Sequence, residues 1–164
     1  MIHLIIGDGK GKTSASVGMA MRSAGHGWSV LFIQFLKGDS SGEINAIKSI
    51  PNVTVMHSQV NYGFVYQMTK EQLEETTEEC ERLMHIAITS NAKLVILDEV
   101  IHAYNAGMIN RTQIEKILEK NVEIVLTGED APDWLLDKAD YVSRVAKIKH
   151  PYDKGIKARE GIEF

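Results

Sequence analysis

"HLIIGDGKGKTSASVG", residues 3–18, is the stretch on which the fold turns. Residues 3–6 are a short apolar run that reads as a buried strand. From Thr13 onward, small residues with Val17 and Met21 at helical spacing predict a helix ending near Gly25 or Gly27. Between the two, Gly7, Gly9 and Gly11 free the backbone to take positive φ and to approach a ligand closely. A strand, a glycine-rich loop and a helix start together aim several N–H groups, and the positive end of a helix dipole, at an anion. Gly7, Asp8, Gly9, Lys10, Gly11, Lys12, Thr13 and Ser14 are therefore the candidate nucleotide-phosphate ligands. Lys12 adds a flexible point charge, and the Thr13 hydroxyl suits Mg²⁺. The general phosphate-loop pattern sets a glycine five residues before Gly-Lys-Thr, where this chain has Ile6. The loop is one residue short.

Strand-like runs then alternate with helical ones. Runs at 29–35, 53–57, 94–98, 123–127 and 141–148 are the later strands, several of them apolar throughout, as in a sheet covered on both faces. Helices are expected at 42–50, 69–90, 110–120 and 131–139, with Thr69 or Thr112 as a cap and Pro132 in a first turn. The alternation predicts an α/β fold: a mostly parallel six-stranded sheet flanked by helices, of the P-loop NTPase (RecA-like) type. Residues 1–164 read as one domain. In such sheets ligands bind at the carboxyl ends of the strands, where the loop after the first strand sits.

Composition narrows the classes. No apolar run approaches the ~18 residues of a membrane span, and no signal peptide precedes the first strand. The lone Cys80 excludes an intramolecular disulfide framework and points to the reducing cytoplasm. A net charge of −4 without a dense basic block argues against a nucleic-acid partner.

"LVILDEV" (94–100) ends a buried strand with Asp98 and Glu99. Adjacent carboxylates at a strand's carboxyl edge suit Mg²⁺, directly or through water, although a strand can also simply stop at polar residues. The six histidines show no zinc-type spacing, and Cys80 has no cationic neighbour in sequence to activate it. "NYGFVYQ" (61–67) puts Phe64 and Tyr66 in a glycine-hinged loop, pointing the same way if the segment is extended. Aromatics so placed ordinarily belong to the core. The loop "KGDSSGE" (37–43) is polar and glycine-rich, the composition of a mobile lid.

Taken together, "GDGKGKTSAS", "IQFLKG" with "GE" after it, "GFVY", "LDEV", "LTG" followed by "AD", and "KHPYDKGIKAREGIEF" resemble the P-loop ATP:corrinoid adenosyltransferases, in order and over almost the whole chain. The shortened loop is also the family's. The resemblance implies that cobalt(I) of a corrinoid attacks C5′ of ATP and that inorganic triphosphate leaves, with ATP held reversed relative to ordinary P-loop enzymes. It implies Lys12 at the triphosphate, Thr13 and Glu99 at Mg²⁺ with Asp98 alongside, and Phe64 and Tyr66 as catalytic aromatics against the corrin's lower face. It further implies a homodimer and a flavoprotein reductant as partner.

Three departures stand out. Glu129 follows the "TG" where the family often has Arg, and Tyr66 stands where relatives commonly have Trp. Met1 lies almost at the first strand, so an N-terminal extension that covers the site in longer relatives is expected to be absent and the site more open. The rival readings are a small-molecule kinase, which would release ADP, and a RecA-like ATPase, which would want a basic face. Neither gives the C-terminal "HPYDKGIKAREGIEF" a role.

Overall fold

Five of the six strands carry apolar side chains on both faces, and the sheet they form is covered on both sides. The structure, a computed structural model, describes residues 1–37 and 42–162. The strands are β1 (Ile2–Ile6), β2 (Val30–Gln34), β3 (Val53–His57), β4 (Leu94–Asp98), β5 (Glu123–Thr127) and β6 (Tyr141–Arg144). They pair in parallel in the order β3-β2-β4-β5-β1-β6, as the alternating pattern requires. The expected fold class stands.

Helices α1 (Lys12–Gly25) and α2 (Gly42–Lys48) cover one face. There Val17 and Ala20 of α1 and Ile44 and Ile47 of α2 meet Val30, Phe32, Ile96 and Val125. Helices α3 (Lys70–Thr89), α4 (Val100–Asn105), α5 (Arg111–Leu118) and α6 (Asp133–Leu136) cover the other. On that side Leu83, Met84, Ile101, Ile114 and Leu135 pack on Leu31, Ile33, Val95, Leu97 and Leu126. Alternate residues of β2 thus enter different cores, which is why the strand reads as a continuous apolar run. Met21, expected on the packing face of the first helix, is instead 53% exposed.

Several boundaries differ from the sequence reading, each for a local reason. Helix α4 was not expected, because it starts from Glu99 at φ 63° rather than from a Ser, Thr, Asp or Asn cap. The last helix is only Asp133–Leu136, shorter than the expected 131–139, with Pro132 as its cap residue. Strand β6 ends at Arg144 rather than near 148, because the chain leaves the sheet there to follow the loop after β1. Residues 38–41 of the expected lid lie outside the described residues.

The caps are resolved cleanly. Thr69 closes α3 in a capping box with Gln72, as expected. Helix α5 is capped by Asn110 in a box with Gln113, whereas Thr112 lies within the first turn. Asn110→Ala should therefore lower unfolding free energy by about 1 kcal/mol, and Thr112→Ala should leave it within about 0.5 kcal/mol. Urea unfolding of both variants checks the assignment; a larger loss for Thr112→Ala would refute it.

Candidate functional site

The carboxyl ends of β2, β4 and β5 and the start of α1 converge on one carboxylate. Asp98, the last residue of β4, has 0% exposure, so its oxygens need hydrogen-bond donors. Its Oδ2 accepts from Thr13 Oγ1 at 3.1 Å and from Gln34 Nε2 at 2.9 Å, and its Oδ1 accepts from Thr127 Oγ1 at 2.7 Å. Burial pushes the Asp98 carboxyl up, and the Gln34 hydrogen bond and the Lys37 charge pull against it without cancelling it.

Thr127 does a second job. Its hydroxyl oxygen accepts from the Glu99 backbone N–H at 2.9 Å. That bond holds Glu99 in the left-handed region, uncommon for a residue other than glycine, where the chain turns from β4 into α4. Close packing at the same corner explains Gly128, since a Cβ there would lie 2.5 Å from Ile101 Cβ.

Glu99 lines a cleft of about 500 Å³ together with residues 9–14, Lys37, Glu43 and Gly161–Ile162. Its Oε1 lies 3.0 Å from Lys37 Nζ, and its Oε2 pairs with His102 Nδ1. Burial pushes the Glu99 carboxyl up, but the His102 hydrogen bond and the Lys37 charge outweigh it and bring it down to about 2. The Glu99 bond in turn raises His102 above its ordinary value, and His102 Nε2 also lies 3.7 Å from Glu129. Glu129, the departure noted in the sequence, therefore faces a histidine. Lys37 loses basicity to burial and regains more from the charges of Glu99 and Asp98.

The loop after β1 is shaped by the protein's own backbone. Gly7 N–H donates to Glu129 O and Gly9 N–H to Val145 O, both at 2.9 Å. Lys147 N–H donates to Asp8 Oδ1 at 3.0 Å, so residues 145–147 run across the loop. Gly9 is required for this close approach rather than for its φ: a Cβ would lie 2.8 Å from Val145 O. Gly11 is the opposite case, with φ 117° and open space around it. It precedes the start of α1, whose first N–H groups face the cleft end of the helix. Lys12 Nζ donates to Gly7 O at 2.6 Å and to Gly9 O at 2.9 Å.

Phe64 and Tyr66 are not in an extended segment and not in the core. A 3₁₀ turn at Val65–Gln67 puts both rings on one side, stacked with centroids 5.4 Å apart and 20° between planes. They are 66% and 79% exposed, while Val65 and Met68 pack against the core and anchor the turn. Neither ring lines the cleft; they stand on the loop after β3. Cys80 is buried, and burial pushes its thiol up to about 12, which makes it inert, as its sequence surroundings suggested.

The structure thus gathers residues 9–14 and Glu99 at one cleft, with Asp98 buried behind Thr13. It leaves the expected ligands Gly7 and Asp8 outside the cleft lining and bonded to Glu129 and Lys147, and leaves Phe64 and Tyr66 as a separate exposed pair. Gln34, Lys37 and Thr127 lie within the stretches "IQFLKG" and "LTG" that carry the resemblance, but the sequence assigned none of them a role, and His102 was weighed only for zinc-type spacing. Gln34 and Thr127 also show as polar residues closing otherwise apolar strands.

With this geometry established, the relatives are informative. The model of the family described as "ATP:corrinoid adenosyltransferase BtuR/CobO/CobP" matches residues 1–164. A protein of Sinorhizobium sp named corrinoid adenosyltransferase is 30% identical, the match covering 100% of this chain and 80% of the relative. Relatives of the same name from Pseudomonas aeruginosa and Escherichia coli K12 are each 30% identical, over 96% and 100% of this chain and 80% and 85% of their own.

The Glu99–His102 pair gives stability a pH signature. His102 holds its proton more tightly folded than unfolded, so its contribution is full below its unfolded value of about 6.5 and is lost as pH rises through the higher folded value. Glu99 works in the opposite sense, losing its contribution as pH falls from 4.5 toward about 2. In thermal unfolding between pH 6 and 9, the gap between wild type and His102→Gln should narrow as pH rises. A gap constant over that range would mean that the His102 charge plays no part in the pair.

Proposed function

The chain belongs to the ATP:corrinoid adenosyltransferase family, and we propose that the cleft around Gly11 and Glu99 takes the polyphosphate of ATP while Phe64 and Tyr66 receive the corrinoid. The enzyme is a transferase, and the kinase and RecA-like readings are not favoured. Cobalt(I) of the bound corrinoid attacks C5′ of ATP, a cobalt–carbon bond forms, the C5′–O bond breaks, and the electron pair leaves with triphosphate. The observation that carries this assignment is the exposed aromatic stack, 66% and 79% open to solvent on an anchored turn. Large apolar surface left exposed in this way is the kind of surface that binds a flat ligand. A phosphotransferase acting in the cleft alone has no use for it.

The leaving triphosphate concentrates negative charge, so stabilising it is the main electrostatic task. Gly11, Thr13 and Ser14 offer backbone N–H groups at the start of α1, with the helix dipole behind them. Lys12 exchanges its contacts with Gly7 O and Gly9 O for the phosphates. Asp8 braces the loop through Lys147, and Lys10 lines the cleft beside the phosphates.

The donors here fit Mg²⁺. Hydroxyl and carboxylate oxygens from Thr13, Glu99 and Asp98 are hard ligands, and the described residues hold no cluster of three or more His, Cys, Asp or Glu that would cage a metal by itself. A cation held by so few protein groups keeps water and phosphate oxygens as its remaining ligands, which is the habit of Mg²⁺. When bound, it supplies charge to the leaving oxygens. Thr13 and Glu99 would hold it directly, with Asp98 steadying Thr13 from beneath.

The rest of the reading is coarser. Residues 1–164 act as one P-loop domain, and no helix among the described residues is long and apolar enough to cross a membrane. A cytoplasmic setting is supported by a cysteine content of one, the buried Cys80, which leaves the fold independent of disulfides. A homodimer, and a flavoprotein that reduces the cobalt, complete it.

The direct test is incubation with Mg-ATP and chemically reduced cobalamin. A light-sensitive cobalt–carbon product with equimolar triphosphate is expected; ADP without that product would overturn the reading. Lys12→Ala should lose about 10²–10³ in rate with the fold intact.

Phe64→Ala separates corrinoid handling from packing. An apolar surface that excludes water and the lower axial ligand favours reduction of cobalt(II), because that ligand pushes electron density onto the metal. The variant should lose far more turnover when a mild flavoprotein must reduce bound cobalt(II) than when cobalt(I) is supplied by a strong reductant. Equal losses under both regimes would assign Phe64 to general substrate positioning instead.

A further inference from the structure

Both lysines of the cleft whose contacts are defined are engaged by the protein itself. Lys12 Nζ is held by the carbonyls of Gly7 and Gly9, at 2.6 and 2.9 Å. Lys37 Nζ sits 3.0 Å from Glu99 Oε1. The two contacts differ in kind. Lys12 rests on neutral oxygens and gives up little when phosphate arrives. Lys37 rests on the carboxylate that, on the reading above, must face the cation.

Glu99 has two carboxylate oxygens, and both are taken: Oε2 by His102 on the side of α4, Oε1 by Lys37 on the side of the cleft. Lys37 follows β2 and its side chain is 46% exposed, so its ammonium can move, while the Glu99 carboxylate is only 15% exposed. The Glu99 backbone is also pinned by Thr127 at 2.9 Å. A cation approaching Glu99 from the cleft therefore meets an ammonium already in its place. An ammonium held at that oxygen repels a second cation and offsets the carboxylate charge that would attract it.

We propose that Lys37 is an exchange residue: it neutralises Glu99 in the empty cleft, excludes a free divalent cation, and moves onto the triphosphate when nucleotide and cation enter together. This rests on Glu99 as cation ligand and adds the order of events to it. The polyphosphate provides the ammonium with a better partner than a single carboxylate, and the departing ammonium leaves Glu99 Oε1 to the cation. Lys37 is thus a specificity-determining residue, discriminating the cation–nucleotide complex from the free cation.

The test uses Mn²⁺ as a probe with the same preference for hard oxygen ligands. Mn²⁺ alone is titrated by electron paramagnetic resonance, and inorganic triphosphate without divalent cation by calorimetry, on wild type, Lys37→Met, Lys37→Arg and Glu99→Gln. Lys37→Met should bind Mn²⁺ alone about tenfold more tightly and triphosphate about tenfold more weakly, the effect of one charged hydrogen bond. Lys37→Arg should behave as wild type in both titrations. Unchanged or weaker Mn²⁺ binding by Lys37→Met, or unchanged triphosphate binding, would overturn the exchange. Glu99→Gln keeps the two failures apart. If it leaves Mn²⁺-ATP binding unaltered, Glu99 is not a cation ligand and the underlying reading falls. If it weakens Mn²⁺-ATP binding while Lys37→Met leaves Mn²⁺ alone unaffected, only the exchange falls.

Discussion

The site depends on a carboxylate that water cannot reach. Burying an ion costs several kcal/mol unless hydrogen bonds replace the lost hydration. Asp98 meets that demand by drawing donors from three other elements: Thr13 from α1, Gln34 from β2 and Thr127 from β5. Those donors can reach it only if β2 and β5 flank β4 and the loop after β1 closes over the strand ends, which is the observed order. The charge therefore links nucleotide loop, cation ligand and sheet register. Losing any one donor would leave the carboxylate short of a partner and release the part of the site that the donor holds.

The loop is pre-organised by the same logic. Gly7 and Gly9 give N–H bonds to Glu129 and Val145, and Asp8 receives one from Lys147, so the backbone shape of the loop is held by contacts within the chain itself. Ligand binding then needs side-chain rearrangement by Lys12 and Lys37 rather than refolding of the loop. Ordering costs that would weaken binding are met during folding.

Much of this was legible in the residues, and the misses share a cause. The apolar runs of β2, β4 and β5 and the glycine-rich loop between β1 and α1 announce the fold, because burial on both faces leaves a plain signature. Asp98 and Glu99 stood out as paired carboxylates at a strand end. Gln34 and Thr127 did not, since one polar residue closing an apolar strand looks like any strand terminus until the neighbouring strand is known. Helix α4 escaped because its start is a left-handed Glu99 held by Thr127, a contact between residues 28 positions apart. Phe64 and Tyr66 look like core from composition; only the 3₁₀ turn, with Val65 and Met68 pointing inward, turns them outward. Local pattern reports local structure, and these features are decided by contacts distant in sequence.

Residues 145–147, lying across the loop, also bear on how the chain is made. Strand β1 has no neighbour other than β5 and β6, and the loop's second glycine is bonded to a residue 136 positions later. A ribosome delivers the nucleotide loop first and its supports last. While β2, β3 and β4 can begin to associate as they emerge, the first strand must wait, unpaired, until β5 emerges about three quarters of the way along the chain. Its apolar residues, Leu4 to Ile6 in particular, are exposed during that interval, so the nascent chain should be most prone to aggregation, and most in need of chaperone cover, before Thr127 has left the exit tunnel, and the loop stays unbraced until Val145 follows.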